Sequence, residues 1–254
     1  MIPLDDRGLL LGDGLFETLL WVDGQIACLD AHLARLAAGC RTLGLPAPDL
    51  EEAARLCRAA PGEAELESGR AAVRLTLTAG SGGRGLDRPA APVVRMMARA
   101  AAAAPVRAPA ELVLARTRRN EGSPAARLKT LSYLDNVLAR AEARAAGADE
   151  AVMLNNRGEL ACASAANLFW IADDRLFTPA LSCGVLNGIV RARVLAKAAD
   201  LGIETVVIAA DALALEGAQA AFLTNSLIGV RPVARFAGRA FAPNDLVQRL
   251  RAAF

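Results

Sequence analysis

The chain has 254 residues, 54% of them hydrophobic, and a formal net charge of +2 from 29 Lys and Arg against 27 Asp and Glu. That length accommodates one large or two ordinary domains with a substantial core, and the charge is scattered, without the dense basic run and interleaved aromatics that argue for nucleic acid as a partner. Five cysteines without a CxxC pair (Cys28, Cys40, Cys57, Cys162, Cys183) and a single histidine, His32, point to reduced thiols and no metal cluster.

The N-terminus, MIPLDDRG, lacks the basic and apolar regions of a secretory signal, and no uncharged apolar run approaches membrane-spanning length. A cytoplasmic protein that stays out of the membrane is expected. Residues 9–22 place a Gly-Asp-Gly turn before an apolar run, and Asp23-Gly24 followed by Gln25–Leu29 predicts a hairpin. From Leu29 the spacing of Leu33, Leu36, Ala37, Cys40 and Leu43 predicts a helix stopped by Gly44 and Pro46. A second helix is expected over Leu50–Ala59. Val73, Leu75 and Leu77 alternate with Arg74, Thr76 and Thr78 as a strand, which runs into the glycine-rich AGSGGRG, expected to be a flexible loop near a site. Another strand is expected over Val93–Met97.

Ala101–Pro109 reads as a connection because alanine and proline without periodicity do not build a core. The expected division is a small N-terminal domain, 1–103, a linker, 104–109, and a larger cofactor-binding domain, 110–254. In the latter, Leu128, Leu131, Leu134, Leu138 and Ala141 share one side of a predicted helix. Strands are expected over Ala151–Leu154, around Ala161 and Ala163, and over Asn167–Ile171, Val206–Ile208 and Ala220–Thr224, with a helix over Ile189–Leu201. Short strands with segregated helices make an α+β chain.

Lys129 stands out because it is one of two lysines in a chain whose cations are otherwise arginine. An ammonium can lose its proton and become a nucleophile, which a guanidinium effectively cannot. Lys129 is therefore a candidate Schiff-base residue, against the plainer reading of a solvated first-turn lysine. Asn187-Gly188-Ile189-Val190-Arg191 is a glycine turn opening a helix, where free backbone N–H groups and the helix dipole favour a phosphate. An ordinary helix start is the plainer alternative. Thr224-Asn225-Ser226 ends an apolar strand with three short polar side chains, suited to an anion or simply to a turn. Pyridoxal phosphate would use all three features.

KTLSYLDNVLA, GADEAVMLNNRGELACASAANLFW, LNGIVR and FLTNSLIGVRPV, with DRGLLLGDGLFET and LDAHLARL, resemble the class IV (fold type IV) pyridoxal-phosphate enzymes in the family's own order. RNEGSPAARLKTLSYLDN and TNSLIGVRPV look most like the 4-amino-4-deoxychorismate lyase branch. The resemblance implies a two-domain, D-amino-acid aminotransferase-like fold with a small N-terminal and a larger C-terminal α/β domain. It makes Lys129 the covalent anchor and proton shuttle, puts Arg35, the amides of Ile189 and Val190 after Gly188, and Thr224 at the cofactor phosphate, and sets Phe16, Asn225 and Ser226 beside a small-molecule substrate. A homodimer is implied as well.

Three positions depart from the family. Five residues before Asn167, where a glutamate pairs with the pyridine nitrogen, this chain has Cys162, and a neutral thiol cannot supply that charge. Ala79 stands where many relatives carry an arginine, and the N-terminus is short. Three readings follow: a lyase of the aminodeoxychorismate type, in which aromatisation helps drive pyruvate loss; a class IV aminotransferase, which needs the missing glutamate more; and a divergent paralogue without ordinary cofactor chemistry.

Overall fold

In the computed structural model, which describes residues 2–254, the chain divides into two compact units. The first runs to Pro105 and also takes Leu128–Ser132; the second holds Val106–Arg127 and Tyr133–Phe254.

The first unit contains α1 (Arg7–Leu11), β1 (Gly14–Val22), β2 (Gln25–Ile26), α2 (Leu29–Leu43), α3 (Leu50–Glu63), β3 (Arg70–Thr78) and β4 (Arg95–Ala102). Its antiparallel sheet runs β2-β1-β3-β4. The two-residue period sends Leu15, Leu19 and Trp21 of β1 and Val73, Leu75 and Leu77 of β3 to one face, where they pack with Leu33, Leu36 and Cys40 of α2 and Ala53, Cys57 and Ala60 of α3. Each fully buried leucine on that face contributes roughly 2 kcal/mol of transfer free energy. Gly44 ends α2 in the left-handed conformation (φ 64°), and the Asp49 carboxylate starts α3 by accepting the amides of Glu51 and Glu52.

β4 begins two residues later than expected and takes in the start of the Ala101–Pro109 stretch read as a connection, because Ala101 and Ala102 find ladder partners in Ala72 and Ala71. Pairing overrides alanine's weak strand preference. The glycine-rich loop, expected to be flexible, is gathered around buried Arg7, which donates to the carbonyls of Gly82, Gly85, Leu86 and Asp87 and to Asp13.

The second unit comprises β5 (Ala110–Leu114), α4 (Leu134–Ala145), β6 (Glu150–Leu154), β7 (Leu160–Ala163), β8 (Asn167–Ala172), β9 (Arg175–Pro179), α5 (Ile189–Asp200), β10 (Thr205–Ile208), α6 (Ala212–Glu216), β11 (Ala220–Asn225), β12 (Gly229–Phe236), β13 (Arg239–Ala240) and α7 (Asp245–Arg251). Its mixed sheet is ordered β10-β9-β8-β11-β12-β5-β6-β7, with β13 on β12. Every residue of β6 and β7 is buried, as their near-continuous apolar composition requires. Phe169 of β8 and Phe222 of β11 stack with centroids 4.9 Å apart.

The helix expected to carry Leu128 and Leu131 with Leu134, Leu138 and Ala141 starts only at Leu134. A 3-10 turn covers Pro124–Arg127, Lys129 precedes α4 by five residues, and its segment belongs to the first unit. The face of α4 also differs: Asn136, Ala139 and Ala143 are buried, whereas Leu134, Val137 and Leu138 are exposed. β2 spans only two residues, which leaves the first half of β1 with an open edge. Residues 129–131 fill it: Phe16 N–H donates to the Lys129 carbonyl (2.8 Å) and Leu131 N–H to that of Gly14 (3.0 Å), with a bridge between Leu15 and Thr130. Hydrogen-bonding an exposed strand edge outweighs the local helical spacing of the leucines. Gly14 permits the close approach, since a Cβ there would overlap the Leu77 carbonyl and crowd Leu131.

Candidate active site

The residues singled out in the sequence fall into two groups, one in each unit. In the first unit Lys129 meets Phe16: its Nζ lies 4.1 Å from the ring centroid, and the Arg74 guanidinium carbon lies 3.7 Å from the same centroid. An aromatic face attracts both cations and fixes their long side chains. Phe16 points away from the leucine core because it alternates with Leu15 and Glu17 along β1. The same sheet face presents Thr18, Thr76 and, directly opposite Arg74 in register, Arg99. Arg74 and Arg99 were not singled out as site residues. Their signal was the parity of β3, where polar side chains alternate with the core leucines.

Glu17 is the exception to that parity, a carboxylate on the core side of β1 and 1% exposed. Arg35 donates to it through Nε (2.8 Å) and Nη2 (2.6 Å), and His32 Nδ1 lies 2.7 Å from Oε2. Burial disfavours the charge, but these hydrogen bonds prevail and hold the Glu17 pKa below its ordinary value. Arg35, expected at a phosphate, thus turns two of its nitrogens to Glu17. Ala79 is fully buried in the leucine core, its amide bonded to the Asp13 carbonyl.

In the second unit Asn167 and Thr224 face each other across β8 and β11. Asn167 Nδ2 donates to the Leu186 carbonyl (2.9 Å), and a Cβ on Gly188 would overlap Asn167 Oδ1, so the Asn187-Gly188 turn sits directly over this pair. Gly188 is the N-cap of α5 and no side chain caps the helix. Thr224 is 1% exposed and its Oγ1 has no hydrogen-bond partner. An orphaned buried hydroxyl beside uncapped helix amides is costly unless something supplies an acceptor. Asn225 is occupied with the turn itself, accepting the amides of Leu227 and Ile228 and donating to the Ala165 carbonyl. Ser226 follows it in the same half-buried turn.

Cys162 lies on β7 opposite Met153. Burial pushes its thiol pKa up, nearby Glu150 reinforces this, and Arg119 only partly opposes it, so the group is a neutral thiol at physiological pH. Neither nearby carboxylate takes its place. Glu150 is bonded to Arg140 and Ser164, and Glu159 is held at a pKa of about 2 by Arg157 and Asn155. Arg119, another residue the sequence did not single out, is buried and donates to the carbonyls of Ala126 and Gly184 and to Asn136 Oδ1. It pins the chain just before it leaves for the first unit at Leu128 and just after it returns at Tyr133. Among the described residues no group of His, Cys, Asp and Glu could hold a metal ion, and no helix is long and apolar enough to cross a membrane.

Residues 14–236 match the family model for amino-transferase class IV. The chain belongs to that family. Among class IV relatives, the aminodeoxychorismate lyase of Vibrio harveyi is 30% identical over 237 residues, 91% of this chain and 86% of that protein. The crystal structure of 4-amino-4-deoxychorismate lyase from Pseudomonas aeruginosa superposes with a TM-score of 0.90 at 33% identity, covering 100% of this chain and 94% of the other. A hypothetical aminotransferase from Mycobacterium tuberculosis in its PLP-bound form gives 0.84 at 25% identity, over 100% and 92%. The fold is that of the fold type IV class IV enzymes, and the chain is a pyridoxal-phosphate (PLP)-dependent enzyme. The residues present fit that cofactor: uncapped amides at α5 and the orphaned Thr224 hydroxyl are donors without an acceptor, which a phosphate provides.

Proposed function

We propose that this enzyme is a lyase of the aminodeoxychorismate type, releasing pyruvate from 4-amino-4-deoxychorismate to leave 4-aminobenzoate for folate-type cofactor synthesis. The observation that carries the choice within the family is Cys162: a buried neutral thiol stands where the family resemblance expects a carboxylate. A reaction whose product becomes aromatic has a driving force of its own and relies less on that carboxylate. Near-full-length similarity to lyases supports the same reading.

In this proposal Lys129 forms the covalent link to PLP. When bound, PLP supplies an electron-withdrawing ring that takes up the electrons freed at the substrate's amino-bearing carbon. The Lys129 amine would take the proton from that carbon and, as the ether C–O bond to the enolpyruvyl group breaks, would return a proton to that group's methylene carbon to give pyruvate. The amides of Ile189 and Val190 and the Thr224 hydroxyl hold the phosphate, with Arg35 contributing an edge of a guanidinium that Glu17 orients. Arg74 and Arg99, on the sheet face that carries Phe16, suit a substrate with two carboxylates, which each guanidinium can bind through two parallel hydrogen bonds. Asn225 and Ser226 border the substrate. We further infer a cytoplasmic homodimer acting on a small molecule and not on nucleic acid or membrane; the exposed Leu134, Val137 and Leu138 of α4 are consistent with a covered face.

The test is direct: purified protein with PLP and aminodeoxychorismate is expected to form 4-aminobenzoate and pyruvate in equal amounts. The Lys129→Ala variant is expected to lose both turnover and the visible absorbance of the protein-bound cofactor. Amino transfer to a 2-oxo acid without 4-aminobenzoate would replace the lyase reading with the aminotransferase one.

A further inference from the structure

The first turn of α5 contains a charge with no partner of opposite sign. Arg191 is 4% exposed. Its Nη1 donates to Asn187 Oδ1 (3.3 Å) and its Nη2 to the Pro179 carbonyl (3.2 Å), both neutral, while its Nε has no hydrogen-bond partner. Among the described residues no carboxylate lies within ion-pair distance of it, and burial alone depresses its pKa. Arginine holds its proton even so. A buried unpaired cation is among the costliest arrangements a protein can hold, yet this one sits in the same turn as Gly188, Ile189 and Val190, and its Cβ and the side chain of Asn167, the strand partner of Thr224, both border Gly188. Three unfinished features gather about one helix start: amides that no side chain caps, a hydroxyl without a partner, and a cation without a counter-ion.

We propose that Arg191 is the buried counter-charge of the cofactor phosphate and positions the Asn187-Gly188 turn that receives it. It acts on the phosphate through space and through Asn187, as a positioning residue that does not touch the reacting atoms. The inference rests on the PLP reading of this site and adds to it the origin of the phosphate's specificity. A dianion placed at the α5 N-terminus is attracted by the helix amides and by Arg191, and it relieves the unpaired charge that the protein otherwise carries. Pyridoxal, which has the same ring and aldehyde but no phosphate, gains nothing from Arg191.

The experiment compares PLP and pyridoxal binding to the full-length apoprotein, followed by absorbance of the lysine adduct, for the wild type, Arg191→Met and Arg191→Lys. Arg191→Met is expected to weaken PLP by on the order of tenfold to a hundredfold while leaving pyridoxal within about twofold of the wild type. Arg191→Lys, which keeps the charge but not the two-point hold, is expected to recover most of the lost preference for PLP. Equal weakening of both ligands, an unchanged PLP affinity in Arg191→Met, or an Arg191→Lys no better than Arg191→Met would each overturn the proposal. A wild type that binds neither ligand would instead overturn the PLP reading on which it rests. If Arg191→Met fails to fold, the PLP-to-pyridoxal preference of Arg191→Lys, expected between the wild type and no preference, decides alone.

Discussion

Glu17 and Arg191 are both charges withdrawn from water, one in each unit, and the protein treats them in opposite ways. Glu17 receives Arg35 on two nitrogens and His32 on a third, so its charge is satisfied within the protein. Arg191 receives two neutral oxygens and no carboxylate. The first arrangement is what structural integrity demands of a buried ion; the second is stable only as part of something larger. Buried charge alone therefore does not mark a binding site, whereas buried charge left unsatisfied does.

The sharpest way to break that contrast is Glu17→Gln. Removing the carboxylate leaves Arg35 and His32 with a neutral partner, and a loss of about 3 kcal/mol in unfolding free energy is expected, read by urea denaturation. A change under about 0.5 kcal/mol would mean that the cluster is not the structural anchor its geometry describes. A smaller, graded effect follows from acid. Because the folded-state pKa of Glu17 is depressed, its contribution is fully present above its ordinary value of 4.5 and is lost as pH falls below that value through the folded pKa. The wild type should thus lose stability more steeply below pH 4.5 than Glu17→Gln, and parallel curves would contradict the assignment. The smallest stability effect belongs to Thr224→Val. Its hydroxyl has no partner to lose, so the apoprotein should shift by less than about 1 kcal/mol in either direction. PLP affinity should fall roughly tenfold, and an apoprotein destabilised as strongly as by Glu17→Gln would show that Thr224 is structural.

Much of this was legible in the sequence. The leucine spacing and the Gly44 stop gave α2, and the alternation of Arg74 and Thr76 with the leucines fixed which way β3 faces. The class IV motifs made the family legible and singled out the candidate site residues. Lys129 was expected in a helix and lies instead on a strand edge: Leu128, Leu131, Leu134 and Leu138 do have helical spacing, but the open edge of β1 that claims residues 129–131 lies more than a hundred positions earlier, outside any local pattern. The pairing of Arg35 with Glu17 and the isolation of Arg191 were invisible for a related reason. Whether a charge has a partner is decided by residues far away in sequence, and in one string of letters a satisfied and an unsatisfied arginine look alike. Cys162 became informative only once the motif around Asn167 was recognised.

The return of residues 128–132 to the first unit bears on how the protein is made. When a ribosome has released the first 105 residues, the sheet they form still lacks the segment that completes the β1 edge. That edge must wait for a further 27 residues to emerge. Until then a row of unpaired backbone groups lies open to any passing strand, and the segment that eventually closes it carries Lys129. On this chain, the last stitch of the first unit and the arrival of Lys129, its proposed nucleophile, are one event.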